Sequence, residues 1–179
     1  MIKANPGKLK MSTAGAGTAG HFAGEMFIAM AGIKPVVTHY NGGGPAIEAV
    51  VNGDSQWTVA PIGGRMPHVT SGKLKALAMG SPTRLKLLPN VPTVIESGYP
   101  GFETTAWWGV FAPAKLPSEM AASLAAQIAK VVNGNLFGDK MKPLGVNPTI
   151  LTLSDFAEFQ RAEISKWGKA VRDSGVTVD

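Results

Sequence analysis

The sequence predicts an α/β domain built on a mostly parallel sheet. Three observations carry that expectation. Short β-like runs alternate with stretches of helical periodicity across roughly residues 8 to 82, the rhythm of βαβ units. The junctions between the two are glycine-rich, as in "STAGAGTAGHFAGE" (12–25) and "YNGGGPA" (40–46). The run "LKALAMGS" (74–81) is almost continuously apolar, the pattern of a strand buried on both faces.

Taken in order, "KLKMSTA" (8–14) reads as the first strand. Phe22, Met26 and Met30 follow at helical spacing with Phe27 beside them, and Gly32 stands where a C-cap belongs. "KPVVTHY" (34–40) is β-branched and extended. "GPAIEAVVNG" (44–53) reads as a helix with Pro45 near its first turn and Gly53 beyond its end. "SQWTVAPI" (55–62) is another strand, "GRMPHVTSGK" (64–73) a short helix interrupted by Pro67, and "LKALAMGS" a further strand. A proline-punctuated connector then holds one short helix from about Pro92 to Ser97, and "TTAWWGVFAPA" (104–114) is aromatic and extended.

From Pro117 the pattern becomes helical. Met120, Leu124, Ile128 and Val131 form one apolar stripe; Phe156, Phe159, Ile164, Trp167 and Val171 form another on a longer helix, with "VNPTILT" (146–152) as a short strand between them. Such stripes must be buried against something. The first hundred residues already close an α/β rhythm, so the remainder reads as a piece of a second lobe whose sheet is only partly encoded here.

Composition narrows the function. With 45% hydrophobic and 16% charged residues the chain can build a core. The 22 glycines and 13 prolines fall between apolar runs and punctuate short elements. The net charge of +5 is scattered without a basic stripe, so no nucleic-acid partner is expected. The absence of cysteine excludes disulfides, thiol catalysis and Cys-ligated zinc. No apolar run approaches the length of a membrane span, and "MIKANPGKLK" lacks the pattern of a signal peptide.

The stretch at 12–25 is the first candidate site. The first N–H groups of a helix lack intrahelical partners, and the helix dipole adds positive charge there. Gly15 and Gly17 let a backbone wrap an oxyanion, and Thr13 and Thr18 add hydroxyl donors. No lysine stands at the P-loop position, which argues against a nucleoside triphosphate. "GAGTAG" does fit the spacing of a dinucleotide fingerprint, but "VVTHY" ends in His39 and Tyr40 where an acidic residue would be expected. Three readings stay open at this point: a carboxylate or phosphate site, a tight turn without ligand, and a dinucleotide site. "YNGGGPA" repeats the logic, and two such turns in one parallel sheet fall at the same edge, where ligands bind in open α/β folds.

Other chemistry finds little support. His21, His39 and His68 match no metal spacing, and Glu25, Glu48, Glu96 and Glu103 are dispersed. No metal site is expected; His68 reads as a packed or capping residue, whereas His21 is placed to face the crevice. No paired carboxylates, nucleophile elbow or nucleophile–base pair is legible, so no catalytic residue and no cofactor are assigned. Trp107 and Trp108 read as packing residues first and as a stacking surface for a ligand second.

Taken together, "STAGAGTAGHFAGE", "HYNGGGPAIEAVVNG", "MPHVTSGKLKALAM", "PNVPTVIESGYPGFE", "WWGVFAPA" and the closing "DFAEFQRAEISKWGKAVRDSGV" resemble, in this order, the Bug (TctC-like) receptors. These are the extracytoplasmic solute-binding proteins of tripartite tricarboxylate transporters. The resemblance implies a type II periplasmic-binding-protein fold, with no catalytic activity. Here that means one complete α/β lobe (1–104, the family's second) followed by the hinge return and C-terminal helices of the other lobe (105–179). It implies capture of a small organic carboxylate, delivery to membrane permease subunits, and a periplasmic location. Carried onto this chain, it places Thr13, Gly15, Gly17, Thr18 and His21 near the carboxylate, and Tyr40, Asn41, Gly43 and Gly44 at the crevice wall.

Two departures follow. Family members are longer at the N-terminus, so the chain reads as an N-terminally truncated receptor; taken as complete without a signal peptide, it would be cytoplasmic. Members often carry a polar residue, commonly Asp, in the loop that here reads "TVAPIGG", where Ala60 and Pro61 stand. The alternative reading is a fragment without ligand or transport role, whose bared C-terminal stripes drive a homodimer or exchanged-element oligomer. A remoter one is a small dinucleotide-binding oxidoreductase.

Overall fold

A computed structural model of the chain describes residues 6–146 and 148–174. At its centre lies β1 (Lys10–Thr13), flanked in parallel by β2 (Val36–His39) and β3 (Trp57–Thr58), in the order β2-β1-β3. Lys10 pairs with Val36 and Thr13 with His39 on one side; Met11 pairs with Trp57 on the other. Parallel neighbours need crossovers, and α1 (Ala19–Ala31) and α2 (Gly43–Val51) supply them. Strand side chains alternate between faces, and β1 uses that alternation to seat one helix on each. Met11, fully buried, meets Gly24 of α1, while the Ser12 hydroxyl donates to the Ala46 carbonyl of α2 at 2.9 Å.

Small residues bring the helices close. A Cβ on Gly20 would stand 2.5 Å from the Val59 carbonyl oxygen, so only glycine lets the first turn of α1 lie against the chain leaving β3. Gly32 ends α1 in the left-handed region (φ 59°), its N–H bonded to the Ala29 carbonyl and that of Ile33 to Ile28. Beyond the sheet, Phe27 stacks edge-on with Trp57, Tyr99 and Phe102 at 5.1 to 6.1 Å. Phe102 is only 2% exposed, and burial of such a ring contributes about 2 to 3 kcal/mol, which pins the connector to α1.

The C-terminal part is helical: α3 (Met66–Thr70) precedes the connector, and α4 (Ser118–Val132), α5 (Asn135–Met141) and α6 (Leu153–Ser174) follow it, with a 3-10 turn at Lys142–Leu144. The chain returns so that α6 packs on α1. Glu163 on α6, nearly buried, accepts from the indole N–H of Trp107 at 3.1 Å and of Trp167 at 2.9 Å, and pairs with Lys166. Trp107 also meets Phe156 and Phe159 edge-on, so the extended segment after residue 104 is clamped to α6.

Several expectations need correction. The run at 74–81 is not a sheet strand: it makes one isolated bridge, Met79 with Thr93, and Leu77 is 68% exposed. The last strand of the sheet, β3, has two residues and offers almost no ladder to extend. For the same reason the strand expected at 55–62 shrinks to Trp57–Thr58. Pro67 does not interrupt α3 but sits in its first turn, where its missing N–H costs nothing. Pro92 to Ser97 is a single turn closed by a reciprocal capping pair, with Thr93 N–H donating to Glu96 and Glu96 N–H to the Thr93 hydroxyl. Residues 148–152 form no strand; Asn147 in that stretch, residues 1–5 of "MIKANPGKLK" and the last five residues lie outside the described residues.

Candidate functional site

The C-terminal ends of the three parallel strands deliver three loops to one edge: 14–18, 40–42 and 59–65. With the order β2-β1-β3, the connection after β1 runs to β2 on one side and the connection after β2 crosses back to β3 on the other, so the strand order reverses at β1 and leaves a crevice between the ends of β1 and β3. A cavity of about 380 Å³ lies there. Gly17 and Ala19 from the start of α1, Pro61 from the loop after β3, and Trp107, Trp108 and Trp167 help line it.

The first loop is held from within. Thr18 caps α1: its hydroxyl accepts from the His21 N–H at 3.3 Å and donates to the Gly15 carbonyl at 2.8 Å. Thr13 is buried, and its hydroxyl meets His39 Nδ1 at 2.7 Å and the Gly15 N–H at 3.3 Å. Gly15 and Gly17 adopt positive φ (135° and 74°), and the Tyr40 carbonyl comes close to Gly15. Both predicted hydroxyl donors therefore shape the loop. The N–H groups of Ala19 and Gly20 have no partner among the described residues, and no acidic side chain occupies the first turn of α1 or α2, whereas Glu119 and Asp155 stand in those of α4 and α6. The positive end of α1 is thus left uncompensated beside a cavity, the arrangement that attracts an anion.

His21 lies beneath this loop, 4% exposed. The Gly17 N–H donates to its Nδ1 at 3.1 Å, so the neutral ring carries its proton on Nε2, 3.6 Å from Glu25 Oε1. His39 meets it edge-on at 4.6 Å between ring centroids. Burial, and then the charge of His39, hold the His21 imidazole below its ordinary value. Burial raises the Glu25 carboxyl, against a smaller opposing effect of His39. Among the described residues no group of three His, Asp or Glu side chains is arranged to hold a metal.

The second turn lies beside the first, not on the cavity. The Gly42 N–H donates to the Ala14 carbonyl at 3.1 Å, and the Tyr40 hydroxyl approaches that of Ser55 at 3.5 Å. Asn41 and Gly44 are exposed, and Gly43 faces the Arg65 guanidinium. None of these residues lines the cavity. His68 is half-buried on α3.

Sequence reasoning missed three participants. Arg65, in the third loop, is partly buried with an unpartnered Nε, and desolvation lowers its basicity. Glu163 had no visible partner because its indoles are 56 and 4 residues away in the chain. The His21–His39 contact depends on the β1–β2 register, which places His39 opposite Thr13. The two tryptophans divide the roles expected of them: Trp107 is packed, and Trp108 is 75% exposed at the mouth of the cavity.

Comparison with known proteins supplies the family. The model of the "Tripartite tricarboxylate transporter family receptor" matches residues 1–176. A Pseudomonas protein named for the tcbD-tcbE intergenic region is 31% identical over 168 residues, covering 93% of this chain and 50% of its own. Protein BugT of Bordetella pertussis is 29% identical, covering 97% and 53%. The chain thus spans about half the length of these relatives. Among solved structures, a Rhodopseudomonas palustris protein described with adipate superposes with a TM-score of 0.91 at 27% identity, over 98% of this chain and 59% of the other. MatC from the same organism, with bound malate, gives 0.86 at 27% over 95% and 59%. The periplasmic binding protein BugD gives 0.84 at 28% over 98% and 59%.

Proposed function

The chain belongs to the tripartite tricarboxylate transporter receptor family, and from that premise we propose that it captures a small organic carboxylate at the start of α1. Members of this family are solute-binding receptors, not enzymes, which sets aside the oxidoreductase reading of "GAGTAG". The observation that carries the proposal is the uncompensated N-terminus of α1, with the N–H groups of Ala19 and Gly20 that have no partner among the described residues, opening beside a cavity. A carboxylate there gains hydrogen bonds from groups otherwise unpaired and the favourable end of the dipole. Thr13, Thr18 and His21 hold the loop in shape, and Gly15 and Gly17 give it its path; Tyr40, Asn41, Gly43 and Gly44 form the neighbouring turn, beside that loop and off the cavity.

The related proteins described with adipate and malate favour a carboxylate over a phosphate. In this reading residues 1–104 form the ligand-binding lobe and 105–179 the hinge return and C-terminal helices, the receptor works in the periplasm, and membrane permease subunits receive the ligand. Among the described residues no helix is long and apolar enough to cross a membrane. Titration calorimetry of the chain with a panel including adipate and malate tests the reading. Saturable heat with at least one acid is expected; none across the panel, with no shift in melting temperature, contradicts it.

A second reading concerns assembly and has its own observation. On α4, Met120, Leu124 and Val131 are 53, 43 and 65% exposed, so its apolar stripe faces outward. An unpartnered stripe of this kind favours self-association.

A further inference from the structure

We propose that carboxylate capture at the start of α1 is coupled to uptake of a proton by the buried imidazole of His21, so that the chain holds its ligand more tightly at mildly acidic pH. The inference rests on the receptor reading above and adds the regulation of that site. Gly17 stands between the ring and the cavity: it lines the cavity, and its N–H is spent inward on His21 Nδ1 at 3.1 Å. That bond requires an unprotonated Nδ1. Protonation turns Nδ1 into a donor and leaves the Gly17 N–H without its acceptor. The rest of the loop does not depend on this bond. Thr18 still caps α1 and holds the Gly15 carbonyl, and the Thr13 hydroxyl still accepts from the Gly15 N–H. The cradle therefore survives, with the Gly17 N–H released and a positive charge beneath it. In the empty chain both changes are unfavourable, one as an orphaned donor and the other as a charge in a buried place. A carboxylate at Ala19 and Gly20 offsets both, because it accepts the released N–H and attracts the imidazolium.

The groups around the ring set the direction. Among the described residues, Glu25 on α1 faces Nε2 at 3.6 Å and His39 on β2 meets the ring edge-on at 4.6 Å. From β1 comes the Thr13 hydroxyl, bonded to His39. On α6, which packs on α1, Glu163 and Lys166 are joined to each other and Glu163 to two indoles; Arg65 of the third loop lies against Gly43. Burial, and then the charge of His39, keep the imidazole of the empty chain below its ordinary value, so it is neutral above that value and free to gain a proton on binding. Glu25, when ionised, favours the imidazolium at Nε2. The ligand-bound chain thus holds the His21 proton to higher pH than the empty chain does. Affinity then rises as pH falls through the bound-state value and levels off below the empty-state one.

The test is calorimetry of the full chain with adipate and with malate at about pH 7.5 and about pH 6.0, on wild type and His21→Gln, with NMR titration of the wild-type His21 imidazole. At least one acid is expected to bind wild type about fivefold tighter at the lower pH. In His21→Gln, whose side chain takes up no proton, the affinity should change less than about twofold between the two. The NMR midpoint of His21 should rise when the chain is saturated with that acid, a readout that needs no variant. Affinity that is equal or weaker at the lower pH, the same rise in His21→Gln, or a His21 midpoint that stays or falls overturns this inference and leaves the receptor reading intact. Binding of neither acid at either pH overturns this inference; if the wider panel is silent too, the receptor reading falls with it.

Discussion

At the scale of single residues, Glu163 clamps the extended segment after residue 104 to α6. It accepts two indole N–H groups and pairs with Lys166, one indole from the segment after residue 104 and the rest from α6. Hydrogen bonds to a charged, buried acceptor are worth about 1.5 to 3 kcal/mol each, so Glu163→Ala should destabilise by about 3 kcal/mol in urea unfolding. Burial alone would raise this carboxyl, but the bonds from Lys166, Trp167 and Trp107 and the ammonium charge hold it below its ordinary 4.5. Its contribution is therefore present above that value and lost as pH falls through the lower folded-state value. His21 acts in the same direction at higher pH. Its imidazole is held below 6.5, so below that pH the unfolded chain takes up a proton that the folded one resists, and stability falls with falling pH. Glu25, raised by burial, opposes this, because the folded state then binds the extra proton. Wild type should lose more stability than His21→Gln between about pH 7.5 and about pH 5.5; equal losses in urea midpoint would show that His21 is not the group responsible.

At the scale of elements, what was legible depended on how local the determinants are. Helix α1 could be read because its cap, apolar spacing and terminating glycine all lie within residues 18 to 32. The two glycine turns were legible for the same reason. The run at 74–81 was not, because apolar content reports burial but not a pairing partner, and β3 ends too soon to provide one. Pro61, Arg65 and the tryptophans reach the site or its surroundings through tertiary placement that no spacing rule encodes. Two glycines separate the positional demands. Gly20→Ala drives a Cβ against the Val59 carbonyl, so α1 must lift from its seat at a cost of about 2 to 3 kcal/mol. Gly44→Ala meets nothing within 4 Å and should be neutral or stabilising by about 0.5 kcal/mol. Thermal unfolding of the pair checks this, and equal effects would mean the close approach at Gly20 is relaxed in solution.

At the scale of the whole molecule, the sheet and its two crossover helices make one lobe, and the C-terminal helices add apolar surface that this lobe only partly covers. α6 finds α1, but no residue of α4 is buried. The exposed stripe of α4 predicts concentration-dependent association, seen by light scattering as a mass above 18.6 kDa; Leu124→Glu should return it to monomer. A monodisperse monomer of the wild-type chain at high concentration would show that the stripe does not associate. The same architecture places the cavity where the lobe, the loop after β3 and the aromatic segment converge. The central claim is that main-chain N–H groups at the start of α1 hold the ligand's carboxylate. Titrating the 15N-labelled chain with a binding carboxylate and following its amide resonances by NMR tests it most directly. The largest saturable shifts should fall on Ala19 and Gly20, with Gly17 next; largest shifts at Gly43 and Gly44, or none on α1, would contradict it.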